Sequence, residues 1–299
     1  MRQSYVVPAE AQGVRIDKFL SEACDGLSRS YLQKLLKSEL VEVDKRTVKN
    51  SYKLSAGERI EFEVPEAAEP EIKAEDIPLD IIYEDSDIIL VNKPKGMVVH
   101  PAAGHYSQTL VNGLMYHCRD GLSGINGVLR PGIVHRIDMD TTGVLIVCKN
   151  DFAHNAIAEQ LKVHSITRKY FAIVHGVIQE DEGTVDAPIG RHPVDRKKMS
   201  INRKNGKEAV THYRVLERFR QFTYVECQLE TGRTHQIRVH TLLGDSVYGP
   251  SKIPFKLQGQ TLHAGVLGIV HPRTGNYMEF SAPLPEYFSE LLDKLRKIG

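Results

Sequence analysis

The sequence predicts an α+β protein: a small mixed module at the N-terminus, then a large body on a mixed, mainly antiparallel sheet. Two observations lead there. Short apolar and alternating segments recur along the body at irregular intervals with few helices between them, which does not suit a doubly wound parallel sheet. The stretch VPEAAEPEIKAEDIP (residues 64–78) also divides a chain of 299 residues, long enough for two domains, into unequal parts. Pro65, Pro70 and Pro78 block a continuous helix there, and the acids repel one another. The expected organisation is a module over 1–64, an acidic Pro-rich linker over 65–78, and a body over 79–299.

In the module, RIDKFL opens a helix whose Ile16, Phe19, Leu20 and Ala23 follow helical spacing. Ser28 is the expected cap of a second helix carrying the stripe Leu32, Leu35, Leu36, with Arg29, Lys34 and Lys37 largely off it. LVEV, TVK and RIEFEV then read as short strands. In the body, strands are expected at Ile81–Tyr83, Ile88–Asn92, Gly143–Cys148, Tyr170–Val174, Thr211–Leu216, Tyr224–Leu229 and Tyr277–Phe280. One helix stands out, DFAHNAIAEQLKVH, with Asp151 as its expected cap and Ala153, Ile157, Ala158 and Leu161 apolar.

The net charge of +1 hides two opposed segments. Residues 66–87 carry nine acids against Lys73 alone, and residues 191–220 carry ten Lys/Arg against Asp195, Glu208 and Glu217. The second segment suits an anionic partner, and the basic residues of the module suit an RNA backbone, although a solvated helix face would look the same. Cys24, Cys118, Cys148 and Cys227 are scattered and form no C-x-x-C pair, which fits a reducing cytosol and argues against a zinc site or a disulfide framework. No signal peptide or membrane-spanning run is visible, so a cytoplasmic protein with no membrane partner and no metal is expected. The HRID of residues 135–138 lacks the kinase triplet, and no phosphate-binding glycine motif or G-x-S-x-G elbow occurs. Phosphoryl transfer from ATP and serine hydrolysis are therefore excluded.

Three stretches are polar where plain sheet packing would want alternation. GIVHRIDMDTTGVLIV (132–147) places His135, Arg136, Asp138, Asp140, Thr141 and Thr142 between two apolar runs. Such a loop can hold a carboxylate beside an Arg, which keeps it ionised and nucleophilic; turn hydrogen bonding is the plainer alternative. ETGRTHQIRVH (230–240), read as a strand, sends Ile237 and Val239 to one face and Arg238 and His240 to the other. A buried Arg238 there needs a carboxylate, and Asp138 is the natural candidate. SITRKYFAIVHG (165–176) offers Tyr170, which would begin a strand and could stack on a base or simply pack at a sheet edge.

Together these stretches resemble the RluA/RluD family of RNA pseudouridine synthases. HRIDMDTTG (135–143) is similar to the family's H-R-L-D-x-x-T-S/T-G motif, GRTHQIRVH (232–240) to a later one, and LLGDSVYG (242–249) to the segment after it. VNKPKGMVVHPAAG (91–104) resembles its early motif, RHP…GKEAVTHYRVLE (191–217) is similar in composition and order, and LSRSYLQKLLKSELVEV (27–43) resembles the core of an S4 RNA-binding domain. The likeness covers nearly the whole chain and is nearest to the type acting on large-subunit ribosomal RNA.

It implies a pseudouridine synthase catalytic fold preceded by an S4-like domain, with Asp138 as the essential carboxylate. Arg136 would fill the gap left by a flipped nucleotide, Tyr170 would stack on the uracil, and Arg238 would pair with Asp138. Arg29, Lys34, Lys37, Arg191, Arg196, Lys197 and Lys198 are the expected RNA contacts. Isomerising uridine neither oxidises nor hydrolyses anything, so no cofactor is expected. The implied partner is ribosomal RNA or an assembling large subunit, bound by a monomer. One departure stands out: the family has about six more residues between IRVH and LLGD, whereas Thr241 alone joins His240 to Leu242 here. A loop missing from the sequence, rather than a true deletion, is expected, because so short a path would be strained. Two other readings are weighed against this one. A non-catalytic ribosome-assembly factor would not need the carboxylate, and a nucleoside hydrolase would have to admit water and release free uracil.

Overall fold

A computed structural model describes residues 2–24, 27, 29–64, 72–102, 104–119, 121–127, 130–195, 197–250 and 252–298. By its internal contacts the chain divides into two units, Met1–Glu69 and Pro70–Gly299.

The first unit is β1 (Arg2–Val6), α1 (Ile16–Ala23), α2 (Arg29–Lys37), β2 (Val41–Val43), β3 (Arg46–Thr47) and β4 (Arg59–Glu63). The strands form one antiparallel sheet in the order β1-β4-β2-β3. The N-terminal strand, absent from the sequence expectation, completes it. The two helical stripes close on this sheet: Ile16, Leu20, Leu32, Leu35 and Leu36 are buried with Val41, Val43, Ile60 and Phe62. Buried Asp17 ties the helices together, accepting from Arg15, Arg29 and Gln33. The expected cap Ser28 lies outside the described residues.

The second unit contains β5 (Ile81–Glu84), β6 (Ile88–Lys93), α3 (Leu110–Cys118), β7 (Thr142–Cys148), α4 (Asp151–Lys162), β8 (Thr167–His175) and β9 (Glu182–Asp186). It continues with β10 (Ile189–Arg191), β11 (Met199–Ile201), β12 (Val210–Arg218), β13 (Phe222–Leu229), β14 (Leu262–Val270), β15 (Tyr277–Ser281) and α5 (Glu286–Ile298). The main sheet runs β5-β6-β7-β14-β8-β13-β12-β9, with β15 also on β14, while β10 and β11 form a separate hairpin. Every pairing in it is antiparallel except β7 with β14.

Alternation sends each strand's apolar residues to two covered faces. Ile89, Val91, Leu145 and Val147 pack with Leu110, Val111 and Leu114 of α3, while Ile88, Leu90, Val144 and Ile146 pack with Ala153 and Ile157 of α4. Further along the sheet, Ile173, Phe222 and Tyr224 meet Phe288, Leu291, Leu292 and Leu295 of α5.

Several expectations need correction. Asn150, not Asp151, caps α4, accepting from Ala153 N at 2.9 Å, and the Asp151 carboxylate instead receives the Ser123 hydroxyl. Tyr170 sits inside β8, between β13 and β14, rather than at a strand's start or a sheet edge. The later part of the expected linker is not free: Ile72 is buried, Glu75 N donates to Asn112 O, and the Asn112 side chain donates to Lys73 O. The backbone there satisfies polar groups against α3 instead of water.

The stretch around Arg238 is not a strand. It is a turn followed by a 3-10 helix at Arg238–His240. The buried Gln236 amide accounts for this. It accepts from Arg233 N and donates to Val210 O and the Thr211 hydroxyl, so the segment is stitched across the start of β12 instead of pairing along it. The short join to Leu242 closes through Thr241 at φ 60°, whose carbonyl accepts from His175 N. One left-handed residue thus carries the short join.

Candidate active site

The polar loop between the turn at Gly132 and β7 leaves the sheet where β7 starts beside β14. A Cβ at Gly143 would overlap the Ala264 carbonyl, so only glycine allows that approach. Three attachments fix the loop. His135 Nε2 accepts from Ile146 N at 3.2 Å, Thr141 N donates to Asp138 O at 3.0 Å, and the Met139 carbonyl accepts from Gly96 N and from Lys93 Nζ at 2.9 Å.

Lys93 is fully buried, and its Nζ donates as well to Pro94 O and Met97 O, both at 2.8 Å. Burial pushes its pKa down to about 7, with Asp140 and Asp138 opposing the shift. Three carbonyl acceptors need three N–H donors, which only the ammonium form has. The side chain is thus a charged pin joining the early motif to the loop.

Asp138 lines a cleft of about 110 Å³ together with Arg136, Tyr170, Leu229, His235, Arg238 and Leu262. Asp140, the neighbouring carboxylate, lies instead against Gly259. The loop therefore presents one acid to the cleft, not two. Arg136 is exposed at the same place, and Tyr170 is buried in the cleft wall, where desolvation raises its pKa.

Arg238 bridges two carboxylates. Its Nη1 donates to Asp138 Oδ2 at 2.8 Å, while Nε and Nη2 donate to Asp245 Oδ2 and Oδ1 at 2.7 and 3.0 Å. Asp245 is buried and also accepts from Val247 N and Tyr248 N. Burial works to raise the Asp245 carboxyl, but the guanidinium and the two amides outweigh it and leave its pKa below the ordinary value. Burial likewise opposes the charge on Arg238, yet the two carboxylates hold its pKa above the usual arginine value. The paired Nε/Nη2 fork fixes the guanidinium plane, and that plane aims Nη1 at Asp138.

Around this pair, Tyr248 lies beneath the guanidinium, 5.6 Å from ring centroid to Cζ, and its hydroxyl is 2.8 Å from His235 Nδ1. His235 Nε2 is 3.9 Å from Asp138 Oδ1. Lys93, His235, Asp245 and Tyr248 were not anticipated as site residues. A buried Asp in LLGDSVYG is the available signal for one of them, since a buried carboxylate needs a partner.

The expected RNA contacts are dispersed. Arg191 ends β10, Lys197 is exposed in the turn that follows, and Lys198 Nζ stands 6.0 Å from the Tyr248 ring. Arg196 lies outside the described residues. On the small unit, Lys34 and Lys37 are exposed, whereas Arg29 is engaged by Asp17 at 2.9 Å. Asp85, Asp87 and His271 come close enough for a metal, but Arg273 and Asn150 hold Asp87 while two backbone amides and Tyr83 hold Asp85. That cluster reads as an ion-pair network. Among the described residues no helix is long and apolar enough to cross a membrane.

Comparison with known proteins identifies the family of the chain. Residues 87–243 match the family model for RNA pseudouridylate synthase, and residues 14–60 match that for the S4 domain. A Bacillus subtilis protein described as an uncharacterized RNA pseudouridine synthase is 56% identical over 306 residues, covering all of both chains. The ribosomal large subunit pseudouridine synthase D of Pseudomonas aeruginosa is 45% identical over 309 residues, covering 97% of this chain and 95% of that one. Among solved structures, human RNA pseudouridylate synthase domain containing 1 superimposes with a TM-score of 0.56 at 26% identity, covering 75% of this chain and 96% of that one.

Proposed function

Because the chain belongs to the RNA pseudouridylate synthase family, we propose that it isomerises uridines of large-subunit ribosomal RNA with Asp138 as the working carboxylate. It is an RNA pseudouridine synthase, an isomerase, with an S4 domain at its N-terminus. The observation that carries the site reading is the one carboxylate of the 135–143 loop that faces the cleft, met there by Arg238 Nη1 at 2.8 Å.

The reaction breaks the N1–C1′ bond, turns the uracil and forms a C5–C1′ bond, moving one proton from C5 to N1. Attack at C1′, addition to C6 and removal of a sugar proton all require a carboxylate presented to the nucleoside, and Asp138 presents one. The base must leave its stack, at a cost of a few kcal/mol. Arg136, exposed beside the cleft, is suited to enter the vacated position, and Tyr170 offers a flat wall for the flipped ring. Mapping pseudouridines in large-subunit RNA from a strain lacking the protein tests the substrate. Loss of specific pseudouridines is expected, and an unchanged map would overturn the assignment.

The S4 domain and the basic 191–220 segment are proposed to supply affinity, not chemistry. Removing residues 1–64 should weaken RNA binding and flatten its salt dependence, which runs at a slope of about −0.7 per phosphate contact on single strands. The body should stay folded, because Ile72 and the backbone bonded to Asn112 after it belong to its own packing. Binding measured against salt concentration checks this, and an unchanged slope would remove the module from the RNA interface.

A further inference from the structure

His235 is the cleft residue to which the reaction, as described, gives no work. Its backbone is left-handed, at φ 58°, a conformation uncommon outside Gly and one that Asn, Asp and His adopt more readily than other residues. Strain of this kind persists where surrounding structure holds it, and it clusters at working sites. Here the holding is visible. Val239 N bonds back to the His235 carbonyl, and the ring stands edge-on to Tyr248 at 5.6 Å.

The hydrogen bonds orient the ring and assign its proton. The Tyr248 hydroxyl accepts from Met199 N at 2.7 Å, and its own proton is assigned to His235 Nδ1 at 2.8 Å, the arrangement in which the hydroxyl both accepts and donates. Burial lowers the pKa of the imidazole, opposed by Asp138 and aided by Arg238, which makes the neutral ring the working form. With Nδ1 accepting, the ring proton sits on Nε2. Nε2 looks into the cleft toward Asp138 Oδ1 at 3.9 Å, beyond hydrogen-bond reach. The donor is fixed in direction, and among the described residues no acceptor lies within hydrogen-bond reach of it.

We propose that His235 Nε2–H is the hydrogen-bond donor to a ring carbonyl oxygen of the target uracil while the N1–C1′ bond breaks. This rests on the reading of the Asp138 cleft as the uridine site. When that bond breaks, its electron pair stays with the ring, and negative charge spreads from N1 onto the adjacent carbonyl oxygen. A preorganised neutral donor at that oxygen stabilises the charge where it develops. The donor surrenders no proton, so the proton lost at C5 and the one gained at N1 still balance. Tyr248 is the positioning residue: it sets which imidazole nitrogen carries the proton and also lies against the guanidinium that meets Asp138.

The test compares His235→Asn, His235→Gln, Tyr248→Phe and Asp138→Asn with the wild-type protein on a ribosomal RNA transcript, following single-turnover pseudouridine formation, RNA affinity and melting temperature. Asn tolerates the left-handed backbone and reaches Tyr248, but it stops short of the cleft. Gln extends an N–H donor to about the position of Nε2. Removing one such donor costs about 100- to 1,000-fold in rate. His235→Asn should lose that much with affinity and melting temperature nearly unchanged, and His235→Gln should recover a large part of it. Tyr248→Phe should fall between them. A His235→Asn variant at wild-type rate, a Gln variant no faster than Asn, or a loss confined to affinity would overturn the proposal. If both His235 variants fail to fold, a folded Tyr248→Phe protein at wild-type rate would overturn it instead. An inactive wild-type protein or an active Asp138→Asn would count against the uridine-site reading itself.

Discussion

Asp138→Asn should abolish pseudouridine formation while leaving the protein folded and bound to RNA. A single acid–base group contributes up to about 10⁴-fold, and a carboxylate that also reacts covalently adds to that, so a loss of at least about 10⁴-fold is expected. The structure gives no substitute. Asp140 lies against Gly259, and Asp245 is buried with both oxygens on Arg238. Stability should barely change, because the amide oxygen of Asn can still accept from Arg238 Nη1 and the guanidinium keeps its fork on Asp245. The measurement is single-turnover isomerisation alongside RNA affinity and melting temperature. An Asn protein turning over near the wild-type rate would remove Asp138 from the chemistry. A large loss of affinity would mean that the carboxylate builds the binding surface instead.

How far the sequence carries the fold depends on what holds each element. The stripes of α1 and α2 and the alternation of β6 and β7 follow from burial on defined faces, and periodicity reads such faces directly. The strand β14 escapes that reading although it lies at the centre of the main sheet. LHAGVLGIV is buried on both sides, so it does not alternate, and its glycines weaken the strand signal. Gly265 is there because a Cβ would run into the Phe171 ring, a reason visible only once β8 lies alongside. Helix α3 is likewise buried on most of its surface and shows no stripe.

The site divides in the same way. Asp138, Arg136, Tyr170 and Arg238 lie in stretches marked by polar groups that interrupt apolar runs, and the resemblance to the pseudouridine synthases is what singles them out within those stretches. The second carboxylate on Arg238 is easily passed over, since one Arg and one Asp already satisfy the argument from pairing. A guanidinium has five donors, however, and can serve two acids at once. Reading 230–240 as a strand also concealed His235. In a strand it would share the face of Arg233 and Ile237, whereas the turn closed by Gln236 swings its ring beside Asp138.

Arg238→Ala should be the most destabilising single change in the site, and its dependence on pH should identify the cause. Arg238 is 6% exposed and Asp245 2%, so deleting the guanidinium leaves a buried carboxylate with only the amides of Val247 and Tyr248. Breaking a buried pair from one side costs about 3–5 kcal/mol. In a body of this size each kcal/mol shifts the melting temperature by about 2–4 °C, which predicts a fall of roughly 6–20 °C. In the wild-type protein the Asp245 pKa is depressed, so its contribution is fully present above the unfolded value of about 3.9 and is lost as pH falls through the folded value. In the variant, burial acts without the guanidinium, and the folded pKa of Asp245 moves up relative to the wild-type protein. Protonation then relieves the variant first, so the stability gap should be widest near neutral pH and narrow steadily into acid. Arg238→Lys should recover part of the stability but little of the rate, since one ammonium cannot grip Asp245 with a fork and still aim a second donor at Asp138. Thermal melts of both variants across this pH range, paired with single-turnover rates, make the check. A gap that stays constant with pH would assign the loss to packing alone, and a normal rate in Arg238→Lys would show that the fork does not aim the donor.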